Sequence, residues 1–169
     1  MNAKKVKIST SMGDMVIELS AEKAPKTVEN FIKYVEAGFY NNTVFHRCIK
    51  KFMVQGGGFD QDFSQKKGFA PIENEAKTGL SNLTGTISMA RTNDPHSASS
   101  QFFINVADNL FLNFKGERPD AWGYCAFGTV VEGMEVAQKM SECRTGERMG
   151  HRDVPVEDVV LIKAEVVEG

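Results

Sequence analysis

Val6 and Ile8 alternate with lysines, and beyond Met12-Gly13-Asp14 the residues Met15, Ile17 and Leu19 alternate with Val16 and Glu18. A period of two marks half-buried strands, so Lys5 to Ser9 and Met15 to Leu19 are expected to form a β-hairpin with a glycine-containing turn. The period then changes. Over Ala24 to Ala37, Val28, Phe31, Ile32 and Val35 recur at helical spacing, with Pro25 in the first turn and Gly38 just past the end. This predicts an amphipathic helix with start and stop signals. Residues 45 to 49 and 53 to 55 read as two short strands joined by the polar tip Lys50-Lys51 and closed by Gly56-Gly57-Gly58. Asp60 to Thr84 is polar and weakly patterned, a long surface loop of the kind that tends to be functional.

Further along, Thr86 to Met89 and Phe102 to Val106 are strand-like, separated by the exposed excursion RTNDPHSASS. Asn109 to Phe114 reads as an irregular turn that presents apolar side chains, and Trp122 to Val131 as another strand. Gly133 to Cys143 brings Met134, Ala137 and Met140 to one face of a second short helix. In the tail, Val160, Ile162, Ala164 and Val166 alternate, so Val159 to Val167 should return to pair within the sheet. About eight strands and two helices without βαβ alternation predict a mainly β fold: a closed eight-stranded antiparallel barrel capped by two α-helices. Side chains fill the interior of so small a barrel, so a ligand groove is expected on its outer wall.

The chain of 169 residues, 41% hydrophobic and 25% charged, fits one domain over residues 1–169 with a substantial core. Twenty basic against twenty-two acidic residues give a net charge of −2, and the basic pairs Lys50-Lys51 and Lys66-Lys67 are short. Neither nucleic acid nor a membrane surface is expected as a partner. MNAKKVKIST has no apolar run after its lysines, so with Met1 as the native start a cytoplasmic location is expected. Cys48, Cys125 and Cys143 are odd in number, lack a CxxC pair and read as reduced thiols. With no coiled-coil pattern or large apolar stripe, a monomer is expected.

The most informative stretch is Thr43 to Phe59, TVFHRCIKKFMVQGGGF, which sets Arg47 in a mostly apolar or amide run. A buried charge beside a hydrophobic slot is costly unless something uses it, so we read this stretch as the floor and wall of a groove with Arg47 aimed across it. Other chemistries fit less well. Gly56-Gly57-Gly58 lacks the lysine and βαβ setting of a phosphate loop. His46, His96 and His151 are too widely spaced for a metal set, and Ser97, Ser99 and Ser100 lack a nucleophile elbow. Trp122 beside Gly123 reads as barrel packing. Phe102 and Phe103 must point to opposite faces of their strand, one to the core and one to the groove.

FHRCIKKFMVQGGGF, GTISMARTNDPHSASSQFFI, NLFLNF and WGYCAFGTVVEGMEV, with the N-terminal hairpin and the KAPKTVENF helix, together resemble the cyclophilin-type peptidyl-prolyl cis-trans isomerases, in their short-looped bacterial cytoplasmic form. The resemblance covers nearly the whole chain. It implies an eight-stranded barrel capped by two helices, a groove that binds X-Pro segments of peptides and folding chains, and no cofactor or metal. It implies Arg47 and Gln55 as catalytic residues and Phe52, Met53, Phe103 and Leu112 as the proline-ring pocket. Gln101, Ala90 and the backbone around Arg91 match the part of the groove that holds residues before proline.

Three positions depart from many members of that family. Phe111 stands where tryptophan is common and Tyr124 where histidine is; both keep an aromatic body, so activity should survive. Phe111 lacks the indole N–H, which implies weakened binding of the cyclic-peptide inhibitor cyclosporin. Arg91 replaces asparagine, and its side chain can bias the groove toward acidic flanks. The rival expectation is a chaperone-like module that grips X-Pro segments without accelerating their exchange; a metal-dependent hydrolase is a more distant third.

Overall fold

The computed structural model describes residues 4–167. β1 (Lys5–Thr10) and β2 (Gly13–Leu19) form the expected hairpin, with Val6 opposite Ile17 and Ile8 opposite Met15. All four side chains are inaccessible to solvent. α1 (Pro25–Glu36) carries proline at its first turn and lays Val28, Phe31 and Val35 onto the core, where Phe31 meets Phe102 edge-on at 5.7 Å and Phe127 at 5.1 Å.

Next come β3 (Thr43–Val44), β4 (Arg47–Ile49), β5 (Met53–Gly56) and β6 (Phe59–Asp60). The remaining elements are β7 (Thr86–Met89), β8 (Phe102–Asn105), a 3-10 turn at Leu110–Leu112, β9 (Ala126–Glu132), α2 (Met134–Ser141), β10 (Thr145–Arg148), β11 (His151–Pro155) and β12 (Val160–Val167). Among the described residues no helix is long and apolar enough to cross a membrane.

The closed eight-stranded barrel requires correction. One curled sheet contains ten strands in the order β4-β5-β8-β7-β9-β2-β1-β12-β3-β6, and its end strands β4 and β6 are not paired. The cause lies in the 43–60 segment. Phe45-His46 separates β3 from β4, and Gly57-Gly58 separates β5 from β6, so one bent hairpin contributes its two halves to opposite ends of the sheet. The bend needs glycine: Gly57 has φ +91°, and a Cβ on it would stand 2.9 Å from the Phe102 ring. A Cβ on Gly58 would overlap the Gln101 side chain.

Other expectations shift as well. The strand drawn from Trp122 starts only at Ala126, because Gly123 turns the chain at φ +69° beside the backbone of Leu112 and Asn113. β10 and β11, absent from the sequence reading, form a separate two-stranded sheet whose residues show no alternation of buried and exposed positions. In β12 the buried residues are Leu161 and Ala164, whereas Ile162 and Val166 are exposed. A register shift opposite Ser9 and Thr10 changes the facing side midway, which defeats a strict period of two. The 60–84 segment is a loop, but not a surface one throughout, since Phe63, Asn74, Ala76 and Asn82 are buried.

Candidate active site

β4, β5 and β8 lie side by side, and their outward faces build the site. Arg47 on β4 is the direct cross-strand partner of Gln55 on β5, and Gln55 is in turn opposite Phe103 on β8. Alternation puts Met53 on the same face as Gln55 and sends Phe102 and Val54 into the main core. Phe103 instead joins Met53 and Leu112 in a small separate apolar cluster, against which Phe52, Ala90 and Tyr124 pack. One strand thus divides its adjacent phenylalanines between core and groove, as its pleat requires.

Above this cluster opens a pocket of about 120 Å³ lined by Arg47, Phe52, Met53, Gln55, Ala90, Arg91, Phe103, Leu112 and Tyr124. Drug-sized ligands and cofactors occupy about 300–1,000 Å³. The space suits one small ring, with a chain running across it. The floor is dry, with Met53 at 2% and Phe103 at 4% exposure. Arg47, expected beside the slot as a buried charge, is exposed, so it reaches the pocket without a desolvation penalty.

Gln101 and Phe111 stand at the edges of this pocket rather than in its lining. The Gln55 Nε2 group donates to Gln101 Oε1 at 3.0 Å, which fixes the glutamine beside Arg47. Phe111, 63% exposed, stacks on Phe52 at 5.8 Å between centroids and forms an apolar lip. Tyr124 meets the edge of Phe103 at 5.6 Å. Its backbone is held from both sides: its N–H donates to Leu112 O at 2.8 Å, and its carbonyl accepts from Asn82 Nδ2 at 3.1 Å.

Asn82 belongs to a buried amide network that the sequence reading missed. Asn109 Nδ2 donates to Phe52 O at 2.9 Å and to Asn105 Oδ1 at 2.8 Å. Asn105 Nδ2 donates to Asn82 Oδ1 and to Thr86 Oγ1. Asn82 therefore ties the Tyr124 wall to the Phe52 wall through two other asparagines. Asn105 and Asn109 are four residues apart at a strand end and a turn, where amide side chains favour bonds to nearby backbone; that spacing was the available signal.

The surrounding titratable groups do not offer nucleophilic chemistry. Burial pushes the Cys48 thiol well up, and raises Cys125 to about 11. Neither forms a thiolate near neutral pH. His46 is 6% exposed, has no partner for Nδ1, and is lowered to about 4 by burial and by the neighbouring His151 and Arg47. His96 lies elsewhere, accepting from the Asn74 N–H at 3.1 Å and packing on Trp122. Trp122 also packs on Phe114, which in turn packs against the main core.

Residues 5–166 match the family model for cyclophilin type peptidyl-prolyl cis-trans isomerase/CLD. The chain is 53% identical to peptidyl-prolyl cis-trans isomerase cyp18 of Streptomyces antibioticus over 96% of its own length and 98% of that protein's. It is also 53% identical to peptidyl-prolyl cis-trans isomerase B of Escherichia coli, over 96% and 99% of the two chains. A Cryptosporidium parvum cyclophilin-type isomerase, solved in the presence of the dipeptide Ala-Pro, superposes with a TM-score of 0.80. That likeness spans 98% of this chain and 99% of the other at 27% identity.

Proposed function

This chain belongs to the cyclophilin-type peptidyl-prolyl cis-trans isomerase family, and on that footing we propose that Arg47 and the apolar pocket beside it accelerate rotation about X-Pro bonds of peptides and folding chains. The planar amide resists rotation by about 18–20 kcal/mol because nitrogen shares its lone pair with the carbonyl. At the top of the barrier that sharing is lost, the prolyl nitrogen is pyramidal, and its lone pair can accept a hydrogen bond. A donor aimed at that nitrogen favours the twisted state, whereas a donor aimed only at the planar carbonyl opposes rotation.

Arg47 is the donor in this reading. Its guanidinium keeps its charge and presents a fork of N–H groups, and Gln55, held by Gln101, steadies it and the substrate chain. The ring of proline sits on Met53, Phe103 and Leu112, flanked by Phe52 and Tyr124. Ala90, the backbone of Arg91, and Gln101 take the residues before proline. The dry floor acts in the same direction as the donor, because water stabilises the charge-separated planar amide more than the twisted one. Both contributions are needed: a million-fold gain requires about 8 kcal/mol, while one preorganised donor supplies about 2.7–4 kcal/mol.

The observation that carries this reading is the shared face of Arg47, Gln55 and the buried Met53–Phe103–Leu112 cluster around one ring-sized pocket. A cytoplasmic setting is part of the proposal and is supported by three free cysteines. Exchange NMR on a short Ala-Pro peptide tests it: the protein should accelerate cis-trans interconversion in substoichiometric amounts. A chaperone-like binder would shift peptide resonances and leave the exchange rate unchanged.

A further inference from the structure

Arg91 is held in place by three contacts. Its Nε donates to Gly123 O at 2.9 Å, its Nη1 donates to Thr92 O at 2.8 Å, and its Cζ lies 4.6 Å from the centre of the Tyr124 ring. Those contacts orient the cation while consuming none of its charge: both hydrogen-bond partners are neutral carbonyls. Among the described residues no carboxylate lies within ion-pair distance of Arg91 or Arg47, although both line the pocket. The chain as a whole is slightly acidic, at −2. The groove is therefore a place where two cations face an apolar floor with their countercharges missing.

We propose that Arg91 is a specificity-determining residue, and that the groove prefers X-Pro segments carrying an Asp or Glu side chain within two residues of the proline. An arginine at a flexible surface position gains little from an ion pair, because two long side chains must be ordered and water screens them. Here the ordering has been done by Gly123, Thr92 and Tyr124, so a carboxylate meets a preset fork. A lysine in the same peptide position meets two like charges instead. Arg91 lies at the side of the ring pocket formed by Tyr124. Its contribution is uniform binding and falls on KM, with kcat little affected.

This inference rests on the isomerase reading, and one peptide set separates the two. Three peptides differing only by Glu, Gln or Lys beside the Ala-Pro unit are assayed for exchange at low and high salt, with Kd values from NMR titration of the same peptides. The wild-type protein should favour Glu over Lys by roughly tenfold in kcat/KM at low salt, mainly through KM, and the ratio should shrink as salt screens the groove. Arg91→Gln should cut the Glu-to-Lys ratio by roughly threefold or more, the remainder belonging to Arg47. Because the ratio is taken within each protein, a general loss of activity in the variant does not alter it. Salt applied to the wild type reads the same preference without any substitution. Equal handling of all three peptides by the wild type, or an unchanged ratio in Arg91→Gln, overturns the proposal while leaving isomerase activity intact. If no peptide is accelerated, the isomerase reading fails, and the three Kd values still decide whether Arg91 selects acidic segments.

Discussion

Arg47 and Gln55 stand opposite one another as partners on two adjacent antiparallel strands, and the Gln55 amide is anchored in turn by Gln101. The relationship places a charged fork next to an amide whose own orientation is fixed. If Gln55 steadies both the arginine and the substrate, Gln55→Leu should lower kcat/KM by roughly three- to tenfold, the range expected for losing one neutral hydrogen bond in a desolvated site. Gln101→Leu, which removes both the anchor and the contact to residues before proline, should also lower kcat/KM, with more of the loss in KM. Equal and full activity in both variants would show that the pair is not part of the machinery.

The asparagine network makes a separate prediction. Asn109→Ala leaves the buried Asn105 Oδ1 without its donor, whereas the Phe52 carbonyl loses one donor of two and keeps the Val106 N–H. Leaving such a buried oxygen unpaired costs about 1–3 kcal/mol of stability. Because the network joins the Phe52 and Tyr124 walls, KM for Ala-Pro peptides should rise more than kcat falls. A stability loss with unchanged KM would make the network purely structural. Chemical denaturation and steady-state kinetics on the same variant distinguish these outcomes.

His46 predicts how stability depends on pH. The folded state holds this imidazole neutral down to about pH 4, whereas its ordinary value is 6.5. Between those values the unfolded chain binds a proton that the folded chain refuses, so stability is complete above about pH 6.5 and falls as pH drops toward 4. The loss from this group amounts to at most about 3 kcal/mol. His46→Phe removes both the titration and the orphaned Nδ1, and should flatten the curve of unfolding free energy in that window. An equally steep fall in the variant would assign the effect to other groups.

Phe111 forms an exposed lip against Phe52 and carries no polar atom on its ring. Cyclosporin binding should therefore be weak, and Phe111→Trp, which adds an indole N–H at the same rim, should tighten it by roughly five- to tenfold, the worth of about one hydrogen bond. Isothermal titration of both proteins checks this. Wild-type binding already as tight as that of the tryptophan variant would remove any role for the indole.

The hairpin, both helices and all nine pocket-lining residues were legible in the chain, but for different reasons. Val6, Ile8, Met15 and Ile17 declared their strands because regular alternation and burial coincide there. Arg47 stood out locally as a cation in a mostly apolar run, but the expected burial of that charge was not found, and the set of pocket residues declared itself as parts of blocks resembling a known family. What escaped depends on irregular backbone or distant partners. The split at Phe45-His46 and Gly57-Gly58, which turns an eight-stranded barrel into a curled ten-stranded sheet, is a tertiary bend with a glycine signal but no periodic one. The register shift in β12 left Ile162 exposed between the buried Leu161 and Ala164, whereas Val166 shares the side of Ala164 and is exposed near the strand end. Asn82 and Asn105 lie 23 positions apart, so their contact has no local trace.

The central claim is that a fixed cation beside a dry ring pocket lowers the rotational barrier, and Arg47→Ala tests it most directly. Protein-catalysed exchange of an Ala-Pro peptide, followed by NMR for the wild type and the variant, should show kcat/KM falling by about 10²–10³ with the fold and the peptide-binding shifts preserved. A folded Arg47→Ala protein that exchanges the peptide as fast as the wild type would contradict the account.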